Sequence, residues 1–450
     1  MEMRIIIVGA GKVGYALARH LAEDNNDVVV IEENEERRDI VQNNLDVMTL
    51  GGNGASAANL LEAGVKEAGM LIAVTASDEV NMIACMTAKR LGVSRTIARI
   101  RNEDYAQQGD ISISKTLGID VVINPELVTA LEINKILSTP SSLDIEDFAD
   151  GKVRMLEVKM RPTSKIIEIP LQDLVLPKHI LVAGILRNNK MIIPRGQDIL
   201  KASDHVFFLG ETETVKDFEQ NFITTRSTKL KKVFIIGAGR VGRYLAVMLE
   251  NAGFDLKIID SDKIRCELVA GQLSKSMVLF GDATDKELLV EEGIAQADAV
   301  ICLTEDDKLN MLAALLTKNL GAERTFAKVG RVEYIPIMEQ IGIDVTFTPQ
   351  LITAGTILRM ARSDDILSMS LIEGDQAEAM EILLTEDSPV IDKQLKNIDM
   401  STECLVGAII RNGEVIVPTG EDYLLSGDRI VVFALHNVAK KVLVIFKGRR

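Results

Sequence analysis

Two hexapeptides in this chain have the residue types and spacing that hold a phosphate. Gly9-Ala10-Gly11-Lys12-Val13-Gly14 follows the apolar run Ile5 to Val8, and Gly237-Ala238-Gly239-Arg240-Val241-Gly242 follows Val233 to Ile236. In a G-x-G-x-x-G loop the first glycine allows a tight strand-to-helix turn, and the second lets backbone approach a pyrophosphate. The third allows helix and strand to pack closely. The anion then lies at a helix N-terminus, where free N–H groups and the helix dipole favour it. A glycine-rich turn that binds nothing is the alternative, and a single such loop is weak evidence. Two copies, each with its flanking elements repeated, are stronger.

Glu32 and Asp260 end the second apolar run of each half, about twenty residues beyond the first glycine, as the dinucleotide motif requires. A carboxylate there can accept hydrogen bonds from adenosine ribose hydroxyls. It would repel a 2′-phosphate, which disfavours NADP. ATP and ADP carry the same ribose and stay open, as does a purely solvated strand-end acid. Asn53 and Asp282 follow the third run, at the strand edge where open α/β sheets bind ligands. Either could meet adenine or ribose, although Asp282 only accepts while Asn53 can also donate. Thr75 and Thr304 end the fourth run. Asp78 and Asp307 are expected to cap the helix that follows. Arg99 and Lys328 end the fifth run, where a cation can reach a phosphate or pair with a neighbouring carboxylate.

Catalytic constellations are missing. None of the four histidines (His20, His179, His205, His436) recurs in both halves. His20 is expected on an exposed helix face, and His205 packed beside apolar strand residues. There is no H-E-x-x-H, G-x-S-x-G or P-loop lysine motif. Met82, Met86 and Met311 fit the apolar face of a helix.

The elements that must position these residues form a long duplication. Ala73-Val74-Thr75-Ala76-Ser77-Asp78 through Asn81 parallels Cys302-Leu303-Thr304-Glu305-Asp306-Asp307 through Asn310, and Leu50-Gly51-Gly52-Asn53 parallels Leu279-Phe280-Gly281-Asp282. Thr96-Ile97-Ala98-Arg99 parallels Thr325-Phe326-Ala327-Lys328, and Gly118-Ile119-Asp120 parallels Gly342-Ile343-Asp344. Short apolar runs near 4–8, 28–32, 46–50, 70–74, 95–100 and 119–123 alternate with helical patterns, and the series repeats after 231. Such alternation predicts right-handed βαβ crossovers, hence a doubly wound parallel sheet of Rossmann type in each copy. A smaller element also repeats: Val182 to Asn188, Ile192 to Gly196 and Asp204 to Val206 match Val406 to Asn412, Ile416 to Gly420 and Asp428 to Ile430. Alternating apolar residues with Asn and Gly turns predict a small α+β module there. The expected domains are 1–137 and 229–360 for the large copies, with linker and small module over 138–222 and 361–450. Segments near 136–150, 211–231 and 361–375 read as connectors.

The 450 residues are 47% hydrophobic and 26% charged, ordinary for globular domains with sizeable cores. A net charge of −15 argues against nucleic acid as partner. Arg226 with Lys229 to Lys232 is the best local basic stretch and reads as a linker. Cys85, Cys266, Cys302 and Cys404 are too dispersed for a zinc site or a disulfide framework, which fits reduced thiols. No run reaches the ~18 apolar residues of a spanning helix, and the N-terminal strand leaves no room for a signal peptide. The chain is therefore expected to be soluble and intracellular.

The whole chain resembles the TrkA family, the regulatory subunits of bacterial and archaeal Trk potassium-uptake systems. The marks are Gly281-Asp282-Ala283-Thr284, the T-x-x-D-x-x-N runs at Thr75 and Thr304, and Ala98-Arg99-Ile100-Arg101. One departure is Gly52-Asn53-Gly54 where the family often has G-D-A. The large copies resemble RCK (regulator of potassium conductance) N-terminal domains, the small ones RCK C-terminal domains. The resemblance implies a homo-oligomeric ring beneath a membrane-embedded potassium transporter or channel subunit of Trk/Ktr type, binding NAD(H), ATP or ADP, at the inner face of the cell membrane. It implies a first site of Gly9, Ala10, Gly11, Lys12, Val13, Glu32, Asn53, Thr75, Ala76 and Arg99. It implies a second site of Gly237, Ala238, Gly239, Arg240, Val241 and Asp260, with Asp282, Thr304 and Lys328. It further implies that Leu127 to Leu137 helps form a crossover contact between paired domains. An NAD-dependent dehydrogenase of small metabolites is the rival reading, and would need a substrate domain with a proton-transfer group. A redox-sensing DNA repressor would need a basic helix-turn-helix, and none is present.

Overall fold

The computed structural model describes residues 3–23, 26–105, 116–137, 144–219, 230–361, 366–372 and 376–448. Four α/β segments follow in chain order. The first lobe runs β1 (Arg4–Val8), α1 (Lys12–Glu23), β2 (Asp27–Glu32), α2 (Glu35–Asn44), β3 (Met48–Gly51), α3 (Ala57–Glu62), β4 (Ala68–Ala73), α4 (Asp78–Arg90), β5 (Arg95–Arg99), β6 (Val121–Ile123) and α5 (Pro125–Leu137). A small module follows: β7 (Asp144–Phe148), β8 (Val153–Lys159), β9 (Ile180–Arg187), β10 (Lys190–Ile192), β11 (His205–Glu211) and α6 (Thr212–Phe218). The second lobe comprises β12 (Lys232–Ile236), α7 (Arg240–Asn251), β13 (Asp255–Asp260), α8 (Lys263–Ala270), β14 (Met277–Phe280), α9 (Lys286–Glu291) and β15 (Ala299–Cys302). It continues through α10 (Asp307–Asn319), β16 (Arg324–Lys328), α11 (Ile335–Gln340), β17 (Val345–Phe347) and α12 (Pro349–Ala361). The last module has β18 (Ile366–Ile372), β19 (Ala377–Leu383), β20 (Cys404–Arg411), β21 (Glu414–Ile416), β22 (Arg429–Leu435) and α13 (His436–Lys447).

Each lobe holds a six-stranded sheet, in the order β3-β2-β1-β4-β5-β6 and β14-β13-β12-β15-β16-β17. The pairings are parallel, the doubly wound arrangement predicted. Central strands such as Ile5 to Val8 and Ala299 to Cys302 are buried on both faces, which is why they read as continuous apolar runs rather than alternating ones. Side-chain oxygens set the helix starts: Asn34 accepts from Arg37 N (2.9 Å), and Asp262 accepts from Ile264 N (2.9 Å). The repeated Gly-Ile-Asp motif is structural. Asp120 accepts from Thr96 N (2.7 Å) and Lys89 Nζ (2.8 Å), and Asp344 accepts from Thr325 N (2.8 Å) and Lys318 Nζ (2.5 Å). Each carboxylate ties the fifth strand to the approach to the sixth.

The two lobes form one compact unit of residues 1–134 and 230–361, and the small modules form another of 135–229 and 362–450. Within the first unit, α12 packs against α1, Asn124 Nδ2 donates to Tyr244 Oη (3.2 Å), and Arg243 pairs with Glu103. This corrects the expectation for His20. The side chain is only 3% exposed, because α1 is covered by its own sheet and by the second lobe's last helix. Met82 is buried, whereas Met86 remains 37% exposed.

The second unit corrects the connectors. Segments read as linkers contain β7, α6 and β18. The run Asp144-Ile145-Glu146-Asp147-Phe148 has too few apolar residues to announce a strand, and acquires its register by pairing with β8. Arg226 and Lys229 of the basic stretch lie outside the described residues. The two modules each form a five-stranded antiparallel sheet. Their shared core brings Phe207 to 6.0 Å from Phe433 between ring centres. A Cβ at Gly184 would meet the Phe433 ring at 2.8 Å and one at Gly407 would meet Leu209 at 3.0 Å, so each glycine leaves room for the opposing module. Ala149 N donates to Glu381 Oε2 (2.9 Å), and Arg429 bridges Glu381 and Asp150.

Candidate functional site

The glycine loops do three separable jobs. Gly9 and Gly237 have φ of +102° and +109°, a conformation that L side chains rarely adopt. A Cβ at Gly14 would sit 1.9 Å from the Gly9 carbonyl oxygen, and one at Gly242 2.0 Å from that of Gly237. These glycines let helix and loop touch. At Gly11 and Gly239, by contrast, a Cβ would meet nothing within 4 Å. Those positions face open space at the N-termini of α1 and α7, where free N–H groups favour an anion.

The strand-end acids fold back on the loops. Glu32 Oε2 accepts from Ala10 N (2.5 Å) and Oε1 from Asn34 N (2.9 Å). Asp260 matches this with Ala238 N (2.6 Å) and Asp262 N (2.8 Å). Both residues are 9% exposed. Each carboxylate therefore fixes the loop, and each oxygen keeps one lone pair for a further donor such as a ribose hydroxyl.

Beyond the third strands, Asn53 Oδ1 accepts from Ala55 N (2.8 Å) and Asp282 Oδ1 from Thr284 N and Oγ1 (both 2.8 Å). Those bonds, the Thr284 N–H first, hold the Asp282 carboxyl below its ordinary pKa. The adjacent backbone is tied in as well, since Gly52 N donates to Glu32 O and Gly281 N to Asp260 O.

Sequence reasoning quoted Asn81 and Asn310 without giving them a role. Both are fully buried. Asn310 Oδ1 accepts from Thr304 N (2.9 Å) and Oγ1 (2.7 Å), while its Nδ2 donates to Thr304 O (3.0 Å) and Lys328 O (2.9 Å). Asn81 makes the same four bonds to Thr75 and Arg99. One amide thus fastens the ends of the fourth and fifth strands at the ligand edge. The spacing from Thr to Asn was the available signal. Asn310→Asp keeps the shape but turns an acceptor toward two carbonyls. We expect a loss of about 3 kcal/mol in urea unfolding, the cost of burying polar groups unpaired.

The helix-capping expectation for Asp78 and Asp307 is corrected. Ser77 and Asp306 are the caps. Asp78 Oδ2 instead accepts from Arg101 N (2.9 Å) and Asn102 N (2.8 Å), and Asp307 Oδ1 from Gly330 N (2.8 Å). As first helical residues, their carboxylates reach the turns after the fifth strands.

The lobes enclose a cavity of about 540 Å³ that both loops border through Lys12, Val13 and Val241. Arg99, Arg101 and Glu126 line it from the first lobe, and Glu305, Lys328 and Arg331 from the second. Lys12 Nζ reaches across to Gly330 O (2.5 Å). Arg101 pairs with Glu126, whose other carboxylate oxygen is buried without a partner. Burial first, and the nearby Arg101 second, lower the Arg99 pKa from its ordinary value. Among the described residues no group of three or more His, Cys, Asp or Glu is placed to hold a metal, and no helix is long and apolar enough to cross a membrane.

Fold and site together define a tandem protein of two nucleotide-binding-type lobes and two small antiparallel modules. The model of the TrkA-N domain matches residues 5–125 and 233–349, and that of the TrkA-C domain residues 155–223 and 379–447. A Trk system potassium uptake protein TrkA homolog of Methanosarcina mazei is 39% identical over 455 residues, covering 99% of this chain and 100% of that protein. The Trk system potassium uptake protein TrkA of Azorhizobium caulinodans is 35% identical, covering 99% of each. The chain belongs to the TrkA family. Among solved structures, the GsuK RCK domain superposes with a TM-score of 0.62 at 18% identity, covering 98% of this chain and 94% of that one. The GsuK channel bound to NAD gives 0.63 at 17% identity, covering 98% and 78%. These likenesses establish the fold.

Proposed function

We propose that this chain is a nucleotide-sensing regulatory subunit that gates a membrane potassium-uptake protein of Trk/Ktr type. The observation that carries this reading is that two phosphate-ready loops border one cavity between two lobes. The helix starts behind both loops, through Lys12, Val13 and Val241, line that cavity, so a ligand at either loop would lie next to the surface through which the lobes meet. The relatives are named potassium uptake proteins, and structural neighbours hold NAD or ADP.

In this reading the first site is Gly9 to Val13 with Glu32, Asn53, Thr75, Ala76 and Arg99. The second is Gly237 to Val241 with Asp260, Asp282, Thr304 and Lys328. NAD(H), ATP or ADP would place its pyrophosphate at Gly11 or Gly239 and its adenosine ribose at Glu32 or Asp260. Ligands with unequal affinity for two inter-lobe arrangements shift the balance between them. A homo-oligomeric ring, dimeric or tetrameric, would pass that shift to a transporter at the inner face of the cell membrane.

The dehydrogenase alternative is less well supported. Neither His20, beside Arg19 and Glu23, nor His205 and His436, on Glu157 and Glu378, lines the cavity. The test is titration of ATP, ADP, NAD and NADH against the purified chain, read by small-angle scattering and by potassium flux through the reconstituted partner. Binding that alters neither shape nor flux would refute the proposal, and steady oxidation of hydroxy or amino acids with NAD would favour the alternative.

A further inference from the structure

The two sites differ in charge at several places, Asn53 against Asp282 among them, and one of these differences lies directly beside the fifth-strand cation. In both lobes a cation ends the fifth strand and lines the shared cavity. In the first, Arg99 donates through Nη1 to Thr75 O (3.3 Å), its Nε is buried without a hydrogen-bond partner, and it forms no ion pair among the described residues. In the second, Lys328 is 8% exposed and its Nζ lies 2.9 Å from Glu305 Oε1. Glu305 follows Thr304 as Ala76 follows Thr75, so the first lobe lacks this carboxylate. Glu305 itself is 84% exposed as a side chain and has no core to support. Its carboxylate pairs with the lysine.

The sheet order places each cation relative to a ligand. Adenosine lies over the second and third strands and the pyrophosphate at the first. The fourth and fifth strands therefore lie under whatever extends beyond the pyrophosphate. In a nucleoside triphosphate that portion is another phosphate; in NAD it is a ribosyl nicotinamide without further negative charge. An unpaired guanidinium suits the former. A lysine already neutralised by a carboxylate suits the latter, because a phosphate arriving there must displace Glu305 or lie beside it.

Resting on the nucleotide-binding reading above, we propose that Glu305 sets the ligand class of the second site. It directs that site toward dinucleotides with an uncharged or cationic distal half, while Arg99 leaves the first site suited to nucleoside triphosphates. One chain would then sense two chemically distinct nucleotides at loops of nearly identical sequence.

The test uses the full chain with one loop blocked at a time. In a Gly11→Asp background only the second site remains, and ATP and NAD are titrated with and without Glu305→Ala. Removing one partly screened charge should tighten ATP about three- to tenfold and change NAD by less than about twofold, with the ATP gain shrinking as salt is raised. In a Gly239→Asp background, Ala76→Glu should weaken ATP at the first site by a similar factor and weaken it more than NAD. Equal changes for ATP and NAD, or no change in ATP in either background, would overturn the assignment while leaving nucleotide sensing intact. Failure of every nucleotide to bind the parent chain would remove both.

Discussion

Gly11→Asp is expected to remove nucleotide binding at the first site and leave the lobe folded, whereas Gly14→Ala three residues later should destabilise the lobe itself. A Cβ at Gly11 meets nothing within 4 Å, so the larger side chain fits the apo protein. Its carboxylate would occupy the space of the pyrophosphate. Two like charges about 4 Å apart cost about 4 kcal/mol at an effective dielectric of 20, which corresponds to a loss of more than about 100-fold in affinity. At Gly14 the smallest possible addition lands 1.9 Å from a backbone oxygen of Gly9. Neither α1 nor the loop can retreat, because Ala10 N is held by Glu32 and Gly9 N by Ile31 O. A loss of about 2–4 kcal/mol in stability is expected. Calorimetric titration and thermal unfolding of the two variants separate binding from folding. A Gly11→Asp protein that still binds with parental stoichiometry would show that the loop is only a turn.

Asp428→Ala should strongly destabilise the small modules. The side chain is 1% exposed and accepts from Arg411 Nε (2.8 Å) and Nη2 (2.7 Å) and from Leu425 N (2.8 Å). Truncation strands a backbone donor and a guanidinium whose other anchor is Tyr423 O. Breaking a buried pair on one side costs about 3–5 kcal/mol. Arg411 keeps 29% of its side chain in solvent and can rehydrate, so about 2–4 kcal/mol is expected. Asp204 repeats the arrangement with Arg187 Nε (2.8 Å), Arg187 Nη2 (2.6 Å) and Lys201 N (2.7 Å). Asp204→Ala should therefore cost the same within about 0.5 kcal/mol. Urea unfolding followed at the far-ultraviolet band would check both, and a cost below about 1 kcal/mol at either site would contradict the account.

Those aspartates were visible in the sequence only as the repeated Asp204 and Asp428 ahead of a strand. Their partners lie 17 residues away on a neighbouring strand, and nothing in the local pattern says which side chain will arrive. The same limit applies to Glu305. It stood in the sequence as one mismatch in a duplicated run, and only the folded sheet brings it to Lys328, 23 residues on. In the sequence the fifth-strand cations suit either a phosphate or a carboxylate. In the fold Lys328 pairs with Glu305, and Arg99 forms no ion pair among the described residues.

What the sequence determined by itself is whatever a few neighbouring residues can enforce. A positive φ demands Gly9 and Gly237, apolar runs buried on both faces demand a covered parallel sheet, and an acid ending the second strand reaches its own loop. Those constraints act over short stretches and survive duplication, so both copies were legible. The tertiary structure decided what depends on lobes meeting. Lys12 touches Gly330, 318 residues away, α12 covers α1 and buries His20, and the helix starts at Lys12, Val13 and Val241 line one cavity. Such contacts are made between finished surfaces. No period or motif within either copy encodes them, and it is they that set the two glycine loops within one compact unit.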